Sequence, residues 1–186
     1  MNRYIACMLF LCFLFVSSSP AIGFMMGLST EELTNSSNLI VIGSVQGVES
    51  MWSEDGKGII SWAKIIVNSV ISGKWDKEVL NVEYNGGEVG DIGLKVSDVK
   101  PLKQGDNLLL FLKIKNGHKQ RIEGNYAPLT NEEIYHSIVG KAQGQYTITP
   151  QGIAKKDGFS VIRGSEFIDN DIPLEVLIDK IRGIKR

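Results

Sequence analysis

Five consecutive apolar residues, Leu108-Leu109-Leu110-Phe111-Leu112, constrain this chain more than anything else in it. The run is too short for a helix and stands between the turn Lys103-Gln104-Gly105-Asp106, preceded by Pro101, and the polar stretch that opens at Lys113. A strand with no polar alternation must be covered on both faces, so this one is expected at the centre of the core. Two further segments read as its partners. Leu39 to Val48 is nearly continuous and β-branched, and Ile59 to Ile71 places Ala63, Ile65 and Val67 on one face and Trp62, Lys64, Ile66 and Asn68 on the other. The turn Ser53-Glu54-Asp55-Gly56 joins them as a hairpin.

Val79 to Tyr84 adds a strand with Leu80, Val82 and Tyr84 on one face, followed by the glycine-rich stretch Asn85 to Gly93. Ile122 to Tyr126 is expected to be another strand, and Tyr146 to Thr149 with Ile153-Ala154 a late hairpin across Pro150-Gln151-Gly152. Helices are predicted at the edges. Ser29 and Glu32 have capping-box spacing for a helix through Leu33; Thr130 to Glu133 repeats it for a short helix through Ile138. Leu174, Leu177, Ile178, Ile181 and Ile184 fall on one face of a closing amphipathic helix, with Pro173 at its first turn. Five or six strands with short flanking helices predict a mainly β fold, a small closed or partly closed barrel, since closure removes exposed edges. An open sandwich is the competing architecture.

The N-terminus carries Arg3, an apolar core from Tyr4 to Val16, and Ala21 and Gly23 in small-x-small spacing. This is the pattern of a secretory signal, so residues 1–23 are expected to be removed by cleavage before Phe24, leaving 24–186 as a single β-rich domain that ends in the amphipathic helix. The alternative is an uncleaved anchor. Both cysteines, Cys7 and Cys12, lie inside the signal. The exported domain would therefore depend on its core alone, without disulfides, and thiol catalysis is excluded. The full chain has 20 basic and 21 acidic residues; losing Arg3 leaves 19 against 21, a formal charge of −2 with no basic cluster. Nucleic acid is thus not an expected partner.

Chemistry-bearing patterns are sparse. His118 falls in a turn, Lys115 to Lys119, and His136 beside Tyr135 on the predicted short helix; neither has a second ligand at zinc spacing, and no metal or cofactor is expected. There is no Gly-x-Ser-x-Gly elbow, and the glycine-rich stretch lacks the Gly-Lys-Ser/Thr ending of a phosphate loop. Its glycines are expected to form positive-φ turns and bulges. Glu54, Asp55, Glu88 and Asp91 read as solvated loop carboxylates, without the oxygen density of a calcium site. Asn35-Ser36-Ser37 matches the N-glycosylation acceptor pattern, making Asn35 a modification candidate in a suitable host.

The order of elements resembles a widespread family of exported prokaryotic proteins without assigned activity. In that family a hydrophobic-x-Gly-Lys unit, here Ile71-Ser72-Gly73-Lys74, precedes Gly-Gly-x-x-Gly, here Gly86-Gly87-Glu88-Val89-Gly90, and then a Pro…Gly-Asp unit, here Pro101-Leu102-Lys103-Gln104-Gly105-Asp106. The resemblance covers Leu28 to Leu112. More distantly, the same order is similar to the netrin-like, OB-type antiparallel barrel of tissue inhibitors of metalloproteinases, which implies a five-stranded barrel with short flanking helices. It does not imply protease inhibition, because those inhibitors chelate zinc through an N-terminal cysteine that this mature chain lacks.

The expected function is a non-enzymatic extracytoplasmic binding module with a protein partner at the cell surface, touching membrane only during export or through an uncleaved anchor. Its expected working surface is the pair of loops carrying Glu54, Asp55, Gly86, Gly87, Glu88, Gly90, Asp91 and Gly93. A hydrolase using Glu88 and Asp91 and an anchored structural envelope protein are the alternatives.

Overall fold

A computed structural model of the protein describes residues 25–115, 119–122, 125–128, 134–161 and 163–185. The expected signal segment, its cleavage site, both cysteines and His118 lie outside the described residues.

Helix α1, Thr30–Asn35, forms as its capping box predicts: the Glu32 amide donates to Ser29 Oγ at 3.2 Å and the Ser29 amide donates to Glu32 Oε2 at 2.8 Å. These bonds hold the Glu32 carboxyl below its ordinary range, chiefly through the Ser29 backbone. Strands β1 (Leu39–Trp52) and β2 (Ile59–Ser72) make a long hairpin, and β3 (Val79–Asn85) pairs antiparallel with β2. β4 (Gly87–Val89) and β5 (Ile92–Leu94) form a separate small hairpin. β6 (Asn107–Lys115) contains the apolar run, followed by the hairpin β7 (Lys119–Ile122) and β8 (Asn125–Pro128) and by β9 (Tyr135–Ile138). A 3₁₀ turn, Lys141–Gly144, leads to β10 (Gln145–Ile148), β11 (Ile153–Lys155) and β12 (Ile172–Pro173); helix α2, Leu174–Ile184, closes the chain.

The protein is mainly β, built on one large mixed sheet ordered β1-β2-β3-β9-β6-β10-β11-β12. β1 pairs with β2 on one edge and, over Leu39 to Ser44, with β6 on the other, so the pairings β1-β2-β3-β9-β6 lead back to β1. Four of these five pairings are antiparallel, while β3 and β9 run parallel. A cycle of an odd number of strands cannot alternate direction throughout, so the purely antiparallel expectation fails at one pair by parity alone. Register shifts along β1 at Ile40/Val41, Ile42/Gly43 and Val45/Gly47 supply the local bending that lets one strand serve two neighbours. At Gly43 the β2 backbone comes so close that a Cβ would lie 2.5 Å from the Ile66 carbonyl oxygen.

The apolar run is buried on both faces, and the pleat assigns its residues to two different cores. Leu108, Leu110 and Leu112 join Leu39, Val41, Val45, Ala63, Ile65, Leu80 and Val82 in one cluster. Leu109 and Phe111 point the other way, into a second cluster with Leu33 of α1, Tyr146 of β10, Ala154 of β11 and Leu177, Ile178 and Ile181 of α2. The helices and the late hairpin thus cover the outer side of β1 and β6. That is why the strand shows no polar alternation.

Two predicted elements are different in the structure. The short helix through Ile138 is not formed over Tyr135–Ile138, which instead is β9; its predicted cap, 130–133, lies outside the described residues. Here pairing decides: β9 fills the space between β3 and β6 and gains partners on both edges, which outweighs a local capping preference. The single strand predicted from Ile122 to Tyr126 is instead the meeting of two, with Ile122 opposite Asn125. His136 consequently sits on a strand, 2 % exposed, edge-on to Trp75 at 5.2 Å between ring centroids. Burial lowers its pKa, against a hydrogen bond with the Asn81 backbone.

Candidate functional site

A cavity of about 630 Å³ lies between the β4–β5 hairpin and the ends of β1, β2 and β3. Its walls are mostly apolar: Val48, Leu94, Val96, Val99, Pro101 and Leu102. Across them runs one row of hydroxyls, because the strand registers place Ser50 opposite Ser61 and Ser61 opposite Tyr84. Ser50 and Ser61 Oγ are 2.7 Å apart, and Ser61 Oγ donates to the Gly86 carbonyl at 2.6 Å. The Tyr84 hydroxyl shares hydrogen bonds with the Ser61 side chain and the Leu102 backbone; burial, the largest influence on it, pushes its pKa up. The row therefore ties the hairpin's entry to the sheet. Lys95 and Lys103 also line the cavity, so it combines a broad apolar wall with a few polar groups.

The glycine-rich stretch makes this geometry possible. Gly86, Gly87 and Gly90 have φ of 98°, 132° and 60°, as expected for turns and bulges, whereas Gly93 is an ordinary strand residue. At Gly87 a Cβ would lie 2.2 Å from Ser61 Oγ and 2.5 Å from Ser50 Oγ. Gly87→Ala is therefore expected to cost about 2–3 kcal/mol in chemical denaturation, combining a strained backbone with a broken hydroxyl pair. At Gly90, where a Cβ would meet nothing within 4 Å, Gly90→Ala is expected to cost about 1 kcal/mol. Equal losses at the two positions would remove the close-approach role of Gly87.

Just beyond the two loops singled out in the sequence, a Cβ on Gly58, at the exit of the β1–β2 turn, would lie 3.5 Å from Ser53 Oγ and 3.9 Å from Leu94 Cδ2 of β5. Gly86, Gly87, Glu88 and Gly93 line the cavity, whereas Gly90 and Asp91 form the hairpin tip and, with Glu54 and Asp55, do not. Glu88 and Asp91 are both exposed. Asp55 accepts from Ser53 Oγ at 2.7 Å and from the Lys57 amide at 3.1 Å, bonds that lower its carboxyl pKa, the Ser53 bond most. Its role is to close the turn. Among the described residues no group of three or more His, Cys, Asp or Glu side chains is arranged to hold a metal. Asn35 is exposed at the end of α1, while the hydroxyl of Ser37 donates to the Leu33 carbonyl at 2.6 Å.

Sequence reasoning placed Tyr84 on the face of Leu80 and Val82, where it lies, but missed the serines that stand beside it. A serine directly after two isoleucines at the start of a long strand, as at Ser61, was the available signal. A scan of family models, a search of curated proteins and a search of solved structures each match nothing for this chain.

Proposed function

We propose that this chain is an exported, non-enzymatic binding module, and that the groove under the β4–β5 hairpin receives apolar side chains of a protein partner at the cell surface. One observation carries the reading: a cavity of about 630 Å³ whose apolar walls are crossed by a single hydroxyl row, with Ile92 and Leu94 left 54 % and 38 % exposed on the hairpin beside it. Apolar surface maintained at a concave, glycine-shaped site suits partner burial. Glu88 borders the groove but Asp91 does not, which weighs against a hydrolase using both carboxylates.

The cyclic pairing β1-β2-β3-β9-β6 supports an OB-type barrel as the scaffold, with the second core, α1 and α2 packed outside it. The resemblance to exported prokaryotic proteins and the N-terminal signal pattern support an extracytoplasmic location. The distant netrin-like resemblance extends to scaffold alone.

Leu94→Arg tests the groove without touching the core. Partner is to be captured on the chain from the surface of the producing cells, identified, and titrated against both forms. The variant is expected to bind at least about tenfold more weakly with an unchanged melting temperature. Equal affinity would reject the groove, and N-terminal sequencing of the recovered protein would read the cleavage site directly.

A further inference from the structure

β1 is paired along nearly its whole length with β2, but on its other edge for only half of it. β6 joins that other edge over Leu39 to Ser44, and Val45 makes the last bonds there, its amide donating to the Asp106 carbonyl at 3.0 Å and its carbonyl accepting from the Gly105 amide at 2.9 Å. β1 then runs on to Trp52 held by β2; among the described residues no strand lies against its second edge. Two bonds fix which residues face that way. The Ser53 amide donates to the Gly58 carbonyl across the hairpin at 2.8 Å, and the Gly86 amide donates to the Ile59 carbonyl, on the β3 side of β2, at 2.7 Å. By antiparallel alternation Gly47, Glu49 and Met51 turn N–H and C=O toward β2, and Val48, Ser50 and Trp52 turn theirs to the open edge.

That edge is continuous with the groove, because Val48 and Ser50 are the groove's lining on β1 and, among the described residues, no strand stands beyond them. Nor is it protected as open edges ordinarily are. Gly47 to Trp52 contains no proline and no lysine, and the bulge at Val45/Gly47 comes before the open stretch. Its one charge, Glu49, is exposed on the opposite face and makes no ion pair among the described residues. Backbone donors and acceptors repeating about every 7 Å along an edge match an extended polypeptide; a helix, whose backbone groups are bonded internally, cannot meet them.

We propose that the partner is held by strand addition: an extended segment of about five to seven residues pairs with the open edge of β1 at Val48, Ser50 and Trp52. Its alternate, apolar side chains enter the groove beside Val48 and Ser50, and the residues between them, basic or uncharged, lie on the outer face beside Glu49. This rests on the groove reading of the partner and adds how its backbone is recognised.

The probe is a phage-displayed library of random linear heptapeptides panned on the full chain, the tightest peptide then being synthesised with each of its amides N-methylated in turn. Selected sequences are expected to carry apolar residues at alternate positions. Within the paired stretch, N-methylation is expected to cost at least about tenfold in affinity at every second residue and less than about threefold between, because only alternate amides face β1. Bound peptide should also slow hydrogen exchange at the Val48, Ser50 and Trp52 amides. Selection of no peptide, or N-methyl losses without a period of two, overturns the proposal; if Leu94→Arg still weakens a selected peptide about tenfold in the second case, the groove stands without strand addition. Losses with a period of two and unchanged affinity in Leu94→Arg keep the strand addition and reject the groove. Slowing of the three amides in the chain alone as its concentration rises would place a second copy on the edge and overturn a foreign partner.

Discussion

Lys156→Met is expected to raise the melting temperature at pH 7 and to abolish a rise in stability that the native protein shows between about pH 7 and pH 10.5. Lys156 follows β11 and is 3 % exposed, its Nζ without a hydrogen-bond partner and 4.3 Å from the centroid of the Tyr146 ring. Burial lowers its pKa to about 7; the Asp169 charge opposes this, and the Lys180 charge adds to it. Asp169 is itself occupied, accepting from Thr30 Oγ1 at 2.5 Å and from Lys180 Nζ at 2.6 Å, and its backbone carbonyl accepts from the Tyr146 hydroxyl at 3.0 Å.

The direction of the pH effect follows from proton counts. Between about pH 7 and 10.5 the unfolded chain holds the lysine proton and the folded chain does not, so stability rises with pH through that window; below about 7 both states are protonated and the cost of burying the ammonium is present in full. At about 1.4 kcal/mol for each pKa unit, that cost is on the order of 4 to 5 kcal/mol. Removing the ammonium also removes its cation–π attraction to the Tyr146 ring, which offsets about 1–2 kcal/mol of the gain. A net gain of about 3 kcal/mol corresponds to about 6–12 °C at pH 7 for a domain of this size, vanishing toward pH 10.5. Scanning calorimetry across that range checks it. A variant less stable than the native protein at every pH would show that the ammonium is held by more than the Tyr146 ring.

Phe111→Ala is expected to lower stability by about 3–5 kcal/mol, or about 6–20 °C in melting temperature. The ring is fully buried, 6.1 Å from the Tyr146 ring, in the cluster that joins β6 to α1 and α2. Leu110→Ala, its neighbour on the opposite face, is expected to cost about 2–5 kcal/mol but through the other core. Hydrogen exchange separates them: Phe111→Ala should speed exchange in α2 disproportionately, and Leu110→Ala should speed it in β2 and β3. Identical exchange patterns would mean that the two clusters behave as one.

Most of the strand pattern was legible because it rests on local physics. The capping box of α1, the alternation of β2 and β3, the turn at Ser53 to Gly56 and the apolar face of α2 each depend on spacing within a few residues. β9 was not legible, since a four-residue strand with a His and a Ser carries little periodicity and is held by partners 20 to 26 and 54 residues away in the chain. The groove was half legible. Glycines marked its hairpin, but Ser50, Ser61 and Tyr84 form a row only through the registers of β1, β2 and β3. The open edge of β1 was hidden for the same reason: nothing near Gly47 to Trp52 in sequence tells that β6 pairs with this strand only as far as Ser44.

By itself, the sequence determined that Leu108 to Leu112 would be a strand covered on both sides, because five apolar residues in succession cannot leave a pleated face to water. Only the tertiary structure decided what covers it. One face meets β1, β2 and β3, and the other meets α1, α2 and the β10–β11 hairpin. The pleat fixes that alternate residues diverge, but which segments reach each side depends on pairings between residues far apart in the chain, and those are selected by the joint burial of both cores.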